Sequence, residues 1–247
     1  MRALNKDSTF HIRDFRITNK MQLKPQDFLV ALKLVAWGEQ RWTYARLAQE
    51  LGLSASEGHA AVKRGLQAGL LLQNRVSTAK AADSGSLGAA ALQDPMGIYR
   101  VTHKRVRRSA SPLEASAPLD NPVRVYAQAL AEFTLHGAKY AFPGVRLPLA
   151  VGVPTSHSAP AFAGVFAPGS SDFVWPHPNG SVRGIGVEPL HPSVPFAAMQ
   201  DTKLYEMLAL FDALRVGKAR ERRMASERLL ALIDPSAPSP QKELLRG

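Results

Sequence analysis

The sequence contains no cysteine, which excludes a disulfide framework and any metal site built on thiolates. A chain without thiols suits a reducing cytoplasm. The longest apolar run, 28–37, is interrupted by Lys33 and falls short of the ~20 residues that a membrane-spanning helix needs. The first residues, MRALNKDSTF, lack the apolar stretch of a secretory signal. These absences predict a cytoplasmic protein.

Motifs that identify common enzymes are also missing. The sequence has no G-x-S-x-G nucleophile elbow, no Walker A loop and no H-E-x-x-H zinc motif. Histidines of the second half are scattered, without the spacing of a metal-binding pair: His136, His157, His177 and His191. Ser156 directly precedes His157, but adjacent side chains do not face each other usefully. We expect no catalysis, cofactor or metal, and an enzyme site near His136 and His157 is the less favoured alternative.

Acidic residues are scarce in the first part of the chain. The 247-residue chain has a formal net charge of +11. Residues 1–110 hold 18 Lys and Arg against 8 Asp and Glu, whereas residues 111–247 hold 13 against 12. A basic part beside a nearly neutral part favours a polyanionic partner for the former. A solvated basic surface is the alternative.

Three helices are predicted in this basic part. The first covers about 23–37, where apolar residues recur at helical spacing. Thr43 can cap the second, which ends at Gly52. Ser54 and Glu57 have the spacing of a capping box, in which each side chain bonds the other's backbone N–H, and this box starts the third helix.

Two short strands are predicted after the third helix, at 70–76 and 98–106. Between them lies an Ala-, Ser- and Gly-rich excursion, 77–97, and the pattern leaves open whether it belongs to a wing formed by the two strands. Composition predicts a linker at 107–121 and an N-terminal arm at 1–22.

The third helix is predicted to have two different sides. Small and apolar residues form its inward stripe: Gly58, Ala61, Val62, Gly65 and Leu66. Short or polar side chains, with a long cation further along, form its outward face: Ser56, His59, Ala60, Lys63 and Gln67, with Arg64 at the flank. A helix of this shape fits the major groove of DNA. Each helical glycine costs about 1 kcal/mol relative to alanine, so the helix is either marginal until bound or packed by a neighbour.

The stretch QRWTYARLAQELGLSASEGHAAVKRGLQAGLLLQ resembles the DNA-binding core of bacterial MarR-type winged-helix regulators. Ala48 and Gly52 around the turn, LGLS before the third helix and VKRGLQAGLL at its end carry the resemblance, which covers about 23–106. It implies a winged helix-turn-helix whose third helix enters the major groove while a hairpin wing lies on the DNA backbone. This family usually has Val or Ile where the chain has Gly58.

The resemblance and the charge pattern together imply a set of DNA-contacting residues. Those in and before the third helix are Thr43, Ser54, Ser56, His59, Lys63, Arg64 and Gln67. Those of the basic wing are Arg75, Arg100, Lys104, Arg105, Arg107 and Arg108. Ser56 and His59 would reach base edges, and Lys63 and Arg64 would reach phosphate or guanine. Wing contacts to phosphate would give affinity rather than specificity, and a charged linker is the alternative for these residues.

Residues 122–234 are predicted to form a smaller, mixed α/β module. Its first helix starts at Pro122 and ends at Pro143. Its aromatic and apolar stripe is predicted to be core: Tyr126, Leu130, Phe133, Gly137 and Tyr140. Asp201 caps another helix. The last helix, about 218–233, is charged and would dimerise, cover DNA or be an exposed face with ion pairs.

The middle of this module is rich in glycine and proline. Asn179 and Gly180 form the pair preferred in tight hairpins. Trp175 either covers a core, the favoured interpretation, or lines a groove. The segment EFTLHGAKYAFPGVR and the Pro-containing segments after it resemble parts of bacterial winged-helix proteins that accompany toxin-like or defence genes.

These observations predict an α+β protein with a winged helix-turn-helix at 23–106, a sensing or dimerising module at 122–234 and a tail at 235–247. The predicted function is transcriptional regulation through double-stranded DNA, most simply repression at an operator, with an antitoxin-like autoregulator as a narrower version. The expected partners are DNA, a second copy of the chain, and a toxin-like protein or a small effector. A winged helix that holds a protein is the first alternative.

Overall fold

The computed structural model describes residues 22–74, 123–165 and 172–237, which form a mixed α+β structure with two small sheets. The α-helices are α1 Pro25–Trp37, α2 Tyr44–Leu51, α3 Ala55–Gln67, α4 Ala127–Glu132, α5 Ala138–Ala141, α6 Val194–Gln200, α7 Thr202–Val216 and α8 Ala219–Ile233. The strands are β1 Leu71–Gln73, β2 Val123–Val125, β3 Arg146–Thr155, β4 Phe173–Pro176 and β5 Val182–Val187. A π-helical turn, Phe133–Gly137, joins α4 to α5, and two short 3₁₀ turns follow β3.

Several predicted segments lie outside the described residues: the arm apart from its last residue, the excursion at 77–97, the strand at 98–106, the linker at 107–121 and most of the tail. Among the helices that the structure describes, none combines the length and the apolar character that crossing a membrane requires.

The predicted starts and ends of the first helices are confirmed. Pro25 occupies the first position of α1, where its missing N–H has no helical partner to lose. Thr43 caps α2 by accepting a hydrogen bond from the Arg46 N–H at 3.2 Å. Gly52 ends α2 with a φ of +63°, and the N–H of Leu53 donates to the Ala48 carbonyl at 2.9 Å. This turn needs glycine because its left-handed conformation is strained for other residues.

The predicted helix start at Pro122 is wrong, because the next three residues form β2 and α4 begins only at Ala127. β2 pairs antiparallel with β1, with Leu71 opposite Val125, and the Tyr126 N–H extends the pairing by donating to the Leu70 carbonyl at 3.0 Å. β-Branched Val123 and Val125 favour this extended backbone.

The predicted aromatic stripe of this helix is only partly core. Leu130 is buried, but Tyr126 is 42% exposed and Tyr140 is 75% exposed. Tyr126 precedes the helix. The π-helical turn accommodates one extra residue, so the positions after it are rotated relative to an α-helical projection, which turns Tyr140 toward solvent.

The second sheet consists of β3, β4 and β5. β3 is long enough to pair antiparallel with both others in succession, β4 along 152–155 and β5 along 146–152. β4 and β5 therefore run parallel to each other and close the three strands on themselves. A turn is present here, since the Gly180 N–H donates to the His177 carbonyl at 3.0 Å, but its central residues are Pro178 and Asn179 rather than Asn179 and Gly180. The predicted hairpin is wrong because the flanking strands are parallel.

One hydrophobic core joins the first part of the described chain, residues 22–74, to the second part, residues 127–165 and 172–237. The ring of Phe28 on α1 lies 5.6 Å from that of Phe133, 6.1 Å from that of Phe142 and 5.0 Å from that of Phe211 on α7. Trp175 is fully buried, which agrees with its interpretation as a core residue.

A buried lysine connects the same two parts. The ammonium of Lys33 on α1 is fully buried and lies 2.7 Å from a carboxylate oxygen of Glu50 on α2 and 2.7 Å from one of Asp201. The other oxygen of Asp201 caps α7, as predicted, by accepting from the backbone N–H of Lys203 and Leu204. Two carboxylates thus satisfy the buried cation and fix α7 against α1 and α2.

Candidate nucleic-acid interface

Helix α3 packs against α1, α2 and β1 through the predicted inward stripe. Four members of this stripe are buried: Gly58, Ala61, Val62 and Gly65. Leu66, the fifth, is half-buried. The helical period of the sequence therefore predicts correctly which side of α3 is buried.

The two glycines of α3 differ in how closely their neighbours approach. A Cβ atom at Gly65 would lie 2.8 Å from Cδ1 of Leu71, so the Leu71 side chain occupies that space. A Cβ atom at Gly58 would lie 3.5 Å from Cβ of Ala48, which is an ordinary contact. Gly65 therefore has a packing role, whereas Gly58 leaves room for a methyl group.

We expect Gly58→Ala to raise the free energy of unfolding by about 1 kcal/mol, because alanine restricts the unfolded chain and favours the helix. Urea unfolding followed by circular dichroism measures the change. Gly65→Ala is the matched control, and it should gain less or lose stability because Leu71 must move. Equal gains at both positions would contradict this packing.

The capping box at the start of α3 is confirmed. The Ser54 hydroxyl accepts from the Glu57 N–H at 3.2 Å, and the Glu57 carboxylate accepts from the Ser54 N–H at 2.9 Å and from its hydroxyl at 2.7 Å. These bonds, that of the hydroxyl first, lower the pKa of Glu57. Ser54 and Thr43 are exposed residues, but the hydroxyl of each accepts a hydrogen bond from a backbone N–H in the first turn of a helix.

The predicted outward face of α3 is open to solvent. Ser56, His59, Lys63 and Gln67 are exposed, and Ala60 between them is half-buried. The His59 ring lies 5.0 Å from that of Tyr44 on α2. Lys63 makes no ion pair with any residue that the structure describes. The face combines a free cation with groups that donate and accept hydrogen bonds.

Arg64, which was predicted to contact phosphate or guanine from the flank of this face, pairs with a buried acid of α1. Its Nε donates to Oδ2 of Asp27 at 2.7 Å and its Nη2 donates to Oδ1 at 2.6 Å. The Asp27 side chain is fully buried, and its hydrogen bonds raise the pKa of Arg64. This forked pair connects α3 to the start of α1, so Arg64 orients the helix.

Two exposed cations of the elements that surround α3 were missed from the sequence. Arg41 lies just before α2, and Arg124 lies on β2 opposite Leu72. Neither makes an ion pair within the described part of the chain. Arg124 follows the predicted linker, and no sequence pattern places it beside β1.

Asp27 was also missed, although the sequence contains a signal for it. It is an acid next to the apolar run of α1, and a carboxylate buried there needs a cationic or hydrogen-bonding partner. The predicted wing residues lie outside the described chain: Arg75, Arg100, Lys104, Arg105, Arg107 and Arg108.

The second part of the chain flanks the turn between α2 and α3. A Cβ atom at Gly52 would lie 3.1 Å from the ring of Phe196 on α6. α6 packs on α2 and leaves the outward face of α3 exposed. No residue that the structure describes therefore covers the outward face of α3.

The histidines of the second part do not form a metal cluster. Among the described residues, no group of three His, Cys, Asp or Glu side chains is placed to hold a metal ion. His136 is exposed on the π-helical turn, whereas the His157 side chain is 8% exposed, with its Nδ1 3.9 Å from a Glu221 oxygen.

Comparison with protein-family models, with curated proteins and with solved structures finds no match to this chain.

Proposed function

We propose that this protein is a sequence-specific regulator of transcription that binds double-stranded DNA, and that α1, α2, α3, β1 and β2 form a winged helix-turn-helix. The observation that supports it is the exposed face of α3, where His59, Lys63 and Gln67 project from a helix that a capping box starts at Ser54. In this proposal α3 enters the major groove and the β1–β2 pair lies beside the backbone.

Each exposed group has a role in this arrangement. Ser56, His59 and Gln67 donate to or accept from base edges, and Lys63 contacts phosphate or guanine. Arg41, at the start of α2, and Arg124, on β2, contact phosphates at the sides of the groove. Phosphate contacts supply affinity, and base contacts from α3 supply specificity.

The proposed mechanism is repression by occupancy of an operator, and autoregulation in the manner of an antitoxin is its narrower form. We propose that a homodimer reads two half-sites, because helix-turn-helix dimers place two recognition helices about 34–36 Å apart, one turn of the DNA helix. The part from β3 to α8 holds a partner or a second copy of the chain.

The test is binding of the full chain to the DNA upstream of its own reading frame and to an unrelated duplex of equal length, over a range of salt concentrations. We expect tighter binding to the former and a linear fall of log K with log salt. Lys63→Ala should reduce the slope by about 0.9, because the variant neutralises one phosphate fewer. Arg223→Ala, which removes an equal charge from an exposed position of α8, is the control and should leave the slope unchanged.

A protein-binding role of α3 is the second candidate. It is favoured because Arg64 is paired with Asp27. Lys63 is then the one Lys or Arg on the outward face of α3, a helix that the structure describes in full. If neither duplex binds even in dilute buffer, the DNA-binding proposal fails and this candidate replaces it.

A further inference from the structure

A cleft of about 430 Å³ lies on the second part of the chain, between α5, the end of α7 and the start of α8. Its lining consists of Lys139, Tyr140, Leu214, Arg215 and Arg222. Three of these five side chains are cationic, one is aromatic and none is acidic. The volume is in the range of sites for small organic ligands, about 300–1,000 Å³.

Two of the cations have no acidic partner within the described ranges. Neither Lys139 nor Arg222 makes an ion pair with a residue that the structure describes. Arg215 differs, because its guanidinium is buried and binds the Asp212 carboxylate, so its charge is balanced. In the part of the chain that the structure covers, the cleft therefore carries two uncompensated positive charges.

The position of Arg222 adds to this imbalance. It is the fourth residue of α8, close to the positive end of the helix dipole, where a cation is less favourable than an acid such as its neighbour Glu221. An anion in the cleft would offset both effects, since it would pair with Arg222 and with the ammonium of Lys139.

Tyr140 supplies a different kind of surface. Its ring is 75% exposed, and the Lys139 ammonium lies over one face of the ring, 4.9 Å from its centroid. The opposite face of the ring is a platform on which a planar ring can stack.

We infer that the cleft binds a nucleotide, with its phosphate between Lys139 and Arg222 and its base stacked on Tyr140. Guanidinium groups match phosphate geometry with two parallel hydrogen bonds. Leu214 provides the apolar wall against which the sugar and the base edge lie. The cleft is separate from the proposed DNA-binding surface, because none of its residues belongs to α1, α2, α3, β1 or β2.

The test is isothermal titration calorimetry of the full chain with AMP and GMP, and with adenosine and inorganic phosphate as partial ligands. We expect at least one of the two nucleotides to bind more tightly than either partial ligand. Tyr140→Ala should weaken binding by about tenfold or more, because stacking of a base on an aromatic ring is worth about 1–3 kcal/mol. Arg222→Ala should weaken it by about tenfold through the removal of charge-assisted hydrogen bonds, which are worth about 1.5–3 kcal/mol.

Arg223→Ala is the matched control, because it removes the same charge from the next position of α8 but outside the cleft lining. It should bind nucleotide like the unmodified protein. Both Tyr140 and Arg222 are exposed, so circular dichroism should show unchanged folding in these variants. Absence of binding at millimolar nucleotide, equal binding of inorganic phosphate, or unchanged affinity in Tyr140→Ala and Arg222→Ala would each overturn the inference.

Discussion

Replacement of Asp212 by alanine is expected to lower the free energy of unfolding by about 3–5 kcal/mol, the loss typical of removing one partner of a buried ion pair. The Asp212 carboxylate accepts from the Thr155 hydroxyl at 2.8 Å, from the Trp175 indole at 2.5 Å and from the Arg215 guanidinium. The Arg215 side chain is only 2% exposed, so its charge would be left without an acidic partner in the core.

Urea unfolding at constant pH measures this loss, and two further variants separate its parts. Thr155→Val removes one donor and should cost about 1 kcal/mol, since other donors still satisfy the carboxylate. Asp212→Asn keeps the shape of the side chain but not its charge, so most of the loss should remain. A change of less than about 1 kcal/mol in Asp212→Ala, well under the cost of breaking a buried pair, would show that these groups do not form the buried network described above.

Replacement of Arg64 by alanine is also expected to cost about 3–5 kcal/mol, because a buried carboxylate loses its cation. Asp27 is fully buried, and besides Arg64 it accepts a bond from the backbone N–H of Lys24 at 2.8 Å. The variant should also weaken the proposed DNA binding, since the pair holds α3 against α1.

Salt dependence distinguishes this indirect effect from a phosphate contact. Arg64→Ala should reduce DNA affinity at every salt concentration without changing the slope of log K against log salt, whereas Lys63→Ala should change the slope. Replacing the pair by Asp27→Leu with Arg64→Met should recover most of the stability, because buried ion pairs exchanged for apolar residues are often neutral. A reduced slope in Arg64→Ala would assign that arginine to the DNA instead.

The first part of the fold was predictable because its signals are local. Each helix start there depends on residues within a few positions of each other, as with Thr43 and Arg46 or Ser54 and Glu57. The inward side of α3 follows from periodicity in the same way. These features require no knowledge of what packs against the helix.

The remaining features depend on partners that are distant in the sequence. β1 pairs with β2 across 75–122, and Arg64 binds an acid 37 residues earlier. The helix period separates Lys63 on the outward face from Arg64 at its flank, but the inward turn of the Arg64 side chain depends on the position of Asp27. The parallel arrangement of β4 and β5 was missed for a similar reason. It exists because β3 is long enough to pair antiparallel with both strands.

The candidate site shows the same division. The exposure of His59, Lys63 and Gln67 was predictable from the helix period. The position of Arg124 beside β1 was not, because it lies on β2, a strand where the sequence pattern predicted the start of a helix. The cleft proposed to bind a nucleotide depends on the π-helical turn that rotates Tyr140 outward, and a simple helical projection places that ring in the core.

Phe28 and Lys33 of α1 contact residues of the second part, so α1 belongs to the shared core and not to a separable N-terminal domain. In evolutionary terms, recombination that grafts residues 25–73 onto another protein would remove the aromatic neighbours of α1 in the second part and leave the Lys33 ammonium with Glu50 but without Asp201. We therefore expect substitutions at the contact between the two parts to require compensating substitutions on the other side.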